Sequence, residues 1–162
     1  MTAAVLSHSS SSGAAVSARH GRDFVDLAQV PWTPWVMEGT HFKLLAINEL
    51  SGGFSMLLRV DPGVQAPVHA HLGSAEAYLV EGGFYSEEND PGFTGCYTYE
   101  RGGSVHQPVS PQGCVMFAVT HGPLAGCNAD GSVSAVVDCR LMLQLAEAAG
   151  AAGHVVQFVS GR

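Results

Sequence analysis

The chain has 162 residues and a mass of 16.9 kDa, the size of one domain. Hydrophobic residues make up 46% and charged residues 13%, a balance that excludes a disordered chain. The formal net charge of -7 leaves no basic footprint for nucleic acid, and no apolar run reaches the roughly 18 residues of a membrane helix. The expectation is one compact soluble domain, cytoplasmic, with neither nucleic acid nor membrane among its partners.

In chain order, residues 1–22 come first as a flexible leader. The Ser7–Ser12 stretch lacks apolar periodicity, and Arg19 and Arg22 lend only slight support to an organelle transit leader. Ordered structure is expected from Asp23, with a main domain over 23–145 and a helix end and tail over 146–162. Pro31-Trp32-Thr33-Pro34-Trp35 cannot lie inside a helix, because each proline restricts itself and its predecessor. Strands are predicted at His41–Ile47, Phe54–Val60, Gln65–His69, Glu76–Tyr85, Cys96–Glu100, Val115–Thr120 and Val133–Cys139. Turns such as Ser51-Gly52-Gly53, Asp61-Pro62-Gly63 and Asn89-Asp90-Pro91-Gly92 separate them. In Phe54–Val60, alternation puts Phe54, Met56, Leu58 and Val60 on one face. One helix is predicted at Leu141–Ala149, with Gly150 at its C-cap. Many short strands closed by one helix read as a β-sandwich or jelly roll. Cys96, Cys114, Cys127 and Cys139 form no C-x-x-C pair and are expected to be reduced.

The chemistry concentrates in the histidines. His69-Ala70-His71 places two imidazoles on one face of a strand, where both can meet one metal ion. Glu76 follows a tight connection that can bring its carboxylate near the same ion. Gly102-Gly103-Ser104-Val105-His106 supplies a third imidazole from a turn. Imidazole plus carboxylate, without thiolate, is the donor set of iron, zinc, manganese or nickel. The apolar neighbours Val68, Leu72 and Leu79 make unpartnered rings costly to bury. Three protein ligands leave open positions, as a catalytic rather than a structural metal requires. Tyr78 shares a face with Glu76 and is the substrate-side candidate, while His121 reads as a turn histidine.

Gly63-(x5)-His69-x-His71-(x4)-Glu76-(x6)-Gly83 resembles the first motif of the cupin superfamily, and Gly103-(x2)-His106 the core of its second. Arg101 stands where the family has proline. Val30–Trp35, Phe42–Leu45, Tyr97–Glu100 and Gly122–Leu124 are similar to the ChrR-like cupins that cleave acetylacetone or 2,4'-dihydroxyacetophenone. The resemblance implies a small single-domain cupin jelly-roll barrel (a double-stranded β-helix) with a short C-terminal helix. It implies iron(II) on His69, His71 and His106, with Glu76 as fourth ligand or as a group behind the ligands. It also implies that Glu100 hydrogen-bonds a ligand or bound water.

The expected function is a mononuclear non-haem iron dioxygenase that cleaves a C–C bond of a small diketone or hydroxyketone with dioxygen. Fe(2+) is the expected cofactor, with Zn(2+), Mn(2+) and Ni(2+) as alternatives, and a homodimer or homotetramer the expected assembly. Trp32, Trp35 and the tail Val155–Val159 are the candidate interface elements. The alternative function is a zinc-binding ChrR-like regulatory or sensor cupin without catalysis.

Overall fold

The computed structural model describes residues 24–159, so the expected leader lies outside the described residues. A 3-10 turn at Leu27–Gln29 opens the described chain, capped by the Asp26 carboxylate, which accepts from the Ala28 amide. There follow β1 (Thr33–Pro34), β2 (Thr40–Asn48), β3 (Gly53–Val60), β4 (Val64–Gln65), β5 (His69–His71), β6 (Ala75–Phe84) and β7 (Gly92–Phe93). Next come β8 (Tyr97–Glu100), β9 (Val105–His106), β10 (Val109–Ser110), β11 (Cys114–Thr120), β12 (Leu124–Cys127) and β13 (Val133–Val137). A helix, α1 (Cys139–Ala148), and a last strand, β14 (Val156–Phe158), complete the described chain.

The larger sheet runs β1-β2-β3-β11-β6-β7, with β14 added beside β2 and β8 beside β6. The second sheet runs β13-β12-β5-β9, and β4 pairs with β10 apart from both. This is the expected all-β jelly roll with one short helix. The expected barrel is not closed, because no pairing joins the outer strands of the two sheets among the described residues.

The alternation expected of β3 holds. Phe54, Met56 and Leu58 are buried, and they meet Phe42, Leu44, Met116 and Ala118 in one core. Burying each large apolar side chain contributes about 1.5–3 kcal/mol. The strand expected at Gln65–His69 is instead two, β4 and β5, split at Ala66-Pro67-Val68. Pro67 has no amide hydrogen to give a ladder, so the chain leaves one pairing there and enters another.

The helix begins two residues before its expected start, because Asp138 caps it. The carboxylate accepts from the amides of Arg140 at 3.0 Å and Leu141 at 2.9 Å. Gly150, at φ +67°, sits just past the C-cap, Ala149. Its amide reaches the Glu147 carbonyl while Ala151 reaches Ala146, the paired bonds of a Schellman ending. Cys139, Met142 and Ala146 form the buried face of the helix. Trp35 Nε1 donates to the Met142 sulfur at 3.0 Å, and the Trp32 ring lies 4.6 Å from the Lys43 ammonium and 4.9 Å from the Arg59 guanidinium. The tail strand β14 lies parallel to β2. All four cysteines are free thiols. No helix among the described residues is long and apolar enough to cross a membrane.

Met142→Ala leaves a cavity under the helix and should cost about 2–5 kcal/mol, whereas Asp138→Ala should cost about 1 kcal/mol. Urea unfolding of both variants checks the ranking, which would reverse if the cap rather than the buried face held the helix.

Candidate metal centre

Strand β5 lies between β12 and β9 in the second sheet. Alternation turns His69 and His71 to one side, and the register with β9 sets His69 directly opposite His106. The turn after β8 makes that pairing possible. Gly103 adopts φ +87°, a conformation costly for any side chain with a Cβ, and its amide donates to the His71 carbonyl at 2.7 Å. The His71 amide returns a bond to the Ser104 carbonyl at 3.0 Å.

The three rings converge. His106 Nε2 lies 2.9 Å from His69 Nε2 and 3.0 Å from His71 Nε2. On His69, Nδ1 lies 3.0 Å from the Pro67 carbonyl, which can only accept, so the proton is on Nδ1 and the neutral ring aims a lone pair inward. One proton on His106 could serve only one of its two close nitrogen contacts. A cation bound to all three would satisfy every one of them. Bonds of about 2.1 Å meeting at right angles set their nitrogens about 3.0 Å apart, whereas tetrahedral bonds set them about 3.4 Å apart. The His106–His69 and His106–His71 spacings are close to the shorter of these values, so one cation can be shared across both pairs. The donor set fits a divalent transition metal.

A carboxylate closes the group from the facing sheet. Glu100 ends β8, and its Oε2 lies 2.6 Å from His71 Nε2 and 3.2 Å from His106 Nε2. That oxygen is buried against the two rings, and His71 Nδ1, on the far side of its ring, is buried without a partner. Burial by itself pushes the Glu100 carboxyl up, but the bond from His71 and the charges of the three rings outweigh it. The net effect holds the group ionised below the usual carboxylate range. The cluster forms the polar end of a narrow cavity of about 110 Å³, walled by Trp35, Met56, Leu58, Phe84 and Met116. Cys114 and Thr98 also border it.

Glu76 and Tyr78 do not join the cluster, although Glu76 borders the same cavity. The connection from β5 crosses to the larger sheet, where β6 pairs with β11 and β8 instead of returning beside β5. In that sheet Ala75 and Leu79 are the buried residues, and alternation turns Glu76 and Tyr78 to the outer face. Glu76 accepts there from Tyr97 Oη at 2.7 Å and lies 2.9 Å from His121 Nε2. It is Glu100, not Glu76, that reaches the imidazoles. Tyr78 is 49% exposed and does not line the cavity. Tyr97, Tyr99 and Phe117 are exposed as well, while Phe54 is core and Met56 and Phe84 face the cavity. Ser86, which contacts His106 Nδ1 at 2.9 Å, carried no signal in the sequence. It lies 20 residues from its partner, in a run that reads as a polar turn.

A family model described as the ChrR cupin-like domain matches residues 20–125. No curated protein matches the chain at a significant level. A cupin-like protein of unknown function from Ralstonia eutropha superposes with a TM-score of 0.79 at 21% identity, over 91% of this chain and 98% of its own. A candidate acetylacetone dioxygenase from Methylibium petroleiphilum does so with 0.71 at 22%, over 80% and 96%. An acetylacetone dioxygenase from Acinetobacter johnsonii gives 0.63 at 19%, over 93% and 97%. At these identities the likeness establishes the fold.

Burial pushes the His106 imidazole down to about 4, against the opposing pull of Glu100, and burial also lowers His69. Folded without metal, these rings stay neutral where the unfolded chain takes up protons, below about pH 6.5. The unfolded state then binds more protons, so stability falls with pH across that window. Thermal melts of metal-stripped protein should be level above about pH 7 and drop progressively from about 6.5 to 4. His106→Gln should shrink the drop, and a curve unchanged by the substitution would contradict this assignment.

Proposed function

The chain belongs to the ChrR cupin-like domain family, and from that premise we propose that it is a mononuclear iron(II) dioxygenase acting on a small diketone or hydroxyketone. The observation that carries the reading is a triad of inward-aimed imidazoles beside an ionised carboxylate, at the polar end of an otherwise apolar cavity. His69, His71 and His106 would hold the metal. Bound there, iron(II) would supply a Lewis acid for two substrate oxygens and a centre for dioxygen chemistry.

The chain's own residues do the rest. Three neutral ligands cancel none of a divalent cation's charge, and with Glu100 nearby a net positive charge would remain, which favours a substrate bound as an enolate. Glu100 Oε2 is placed to accept the proton that enolisation releases, from the carbon between two carbonyls. Met56, Leu58, Phe84 and Met116 enclose the hydrocarbon part of the substrate and keep water from the reacting carbons. The cavity's narrowness selects molecules of few atoms. Adding both atoms of dioxygen while one C–C bond breaks converts a diketone to a carboxylic acid and a ketoaldehyde. Electrons balance without an outside reductant.

A second reading keeps the metal and drops the reaction. The family takes its name from ChrR, and a zinc-loaded, non-catalytic regulatory domain would use the same triad. Oxygen uptake by iron(II)-loaded protein separates the two. With pentane-2,4-dione or 2,4'-dihydroxyacetophenone, the dioxygenase consumes one dioxygen per substrate. His69→Ala and His106→Ala should lose metal and activity together. Glu100→Gln should keep metal and lose about 10²-fold or more in kcat. Stable zinc occupancy, with no uptake on any candidate ketone after iron loading, would favour the regulatory reading.

A further inference from the structure

The three histidines are not held alike. His69 is steered by a backbone carbonyl two residues away, and His71 Nδ1 touches no partner. At its Nδ1, only His106 of the three is met by a side chain, the Ser86 hydroxyl at 2.9 Å. Ser86 is exposed, yet its backbone position is anchored. The neighbouring Tyr85 exchanges two bonds with Val109, its amide donating at 3.0 Å and its carbonyl accepting at 2.8 Å. The hydroxyl thus stands at a set place on the solvent side of the third ring.

We propose that Ser86 is the positioning residue of the metal centre, which it serves by accepting the Nδ1 proton of His106. The inference rests on the metal-binding reading above. With a cation on the three Nε2 atoms, a neutral His106 must carry its proton on Nδ1, and Ser86 Oγ is the atom in reach to receive it. The bond selects the tautomer that presents the lone pair inward, stops the ring from turning about its Cβ–Cγ axis, and makes Nε2 a stronger donor. Without the hydroxyl, the alternative tautomer places a hydrogen on Nε2, which lies 3.2 Å from Glu100 Oε2. That proton would occupy the ligand's inward position and compete with the metal. The third ligand is therefore the adjustable one: its binding form depends on a group that solvent and solutes can reach.

The test measures affinity, not turnover. Cobalt(II) binding by wild type, Ser86→Ala and Ser86→Thr is followed by competition with a chromophoric chelator, together with the visible spectrum of the bound ion. Ser86→Ala should weaken binding about 10–100-fold and alter the spectrum, while Ser86→Thr, which keeps the hydroxyl, stays within about threefold of wild type. Melting temperatures of the metal-free variants should match wild type, since an exposed hydroxyl contributes little to stability. Equal affinity in wild type and Ser86→Ala would overturn the proposal and leave the metal centre intact. Weak binding in both Ser86 variants would likewise remove the hydroxyl as the cause. Absence of cobalt binding in wild type would instead overturn the metal-binding reading on which the proposal rests.

Discussion

The pairing of β5 with β9 governs the molecule's chemistry. Those strands have three and two residues, and neither could hold a conformation alone. Their register nevertheless decides which side chains face which, and a slip of one residue would turn the histidines to opposite faces. The register is held by backbone bonds between His71 and the turn at Gly103 and Ser104, and by β12 on the other flank of β5. Behind these short ladders stands the core of the larger sheet. Phe42, Leu44 and Met56 supply hydrophobic stability that the small strands lack.

Much of this was legible in the sequence, for reasons that depend on local geometry. His69-Ala70-His71 specifies a shared face by alternation alone, and β3 announces its inner face at every second residue. Glu76 shows where local reasoning stops. Its distance from His71 in the chain says nothing about which sheet the connection enters, and one step in strand parity decides whether a carboxylate points at the imidazoles or away from them. Ala75 and Leu79 took the buried positions, and the carboxylate found Tyr97 and His121 instead. Glu100 reached the cluster because β8 and β9 belong to different sheets. Six residues of chain thereby span the gap between a carboxylate and an imidazole on facing walls. Ser86 was invisible for the same reason: its partner is a tertiary neighbour, and nothing local marks it.

The site also illustrates how one fold can host several chemistries. The jelly roll provides walls, spacing and exclusion of water. What separates a sensor from an oxygenase is whether ligands surround an ion or leave part of it open. Here the nitrogens converge at 2.9 and 3.0 Å, and a carboxylate held below its usual range lies against two of the rings.

The tail strand has a consequence for synthesis. β14 completes the flank of β2, and His154 bonds the Leu44 carbonyl from 110 residues further along the chain. A ribosome adding about 5–20 residues per second needs roughly 5–20 s to cover that distance. During that interval the nascent chain carries an unfilled edge beside Ala46, Ile47 and Asn48, open to strands of neighbouring chains. Crowded polysomes would bring such edges of neighbouring nascent chains within reach of one another.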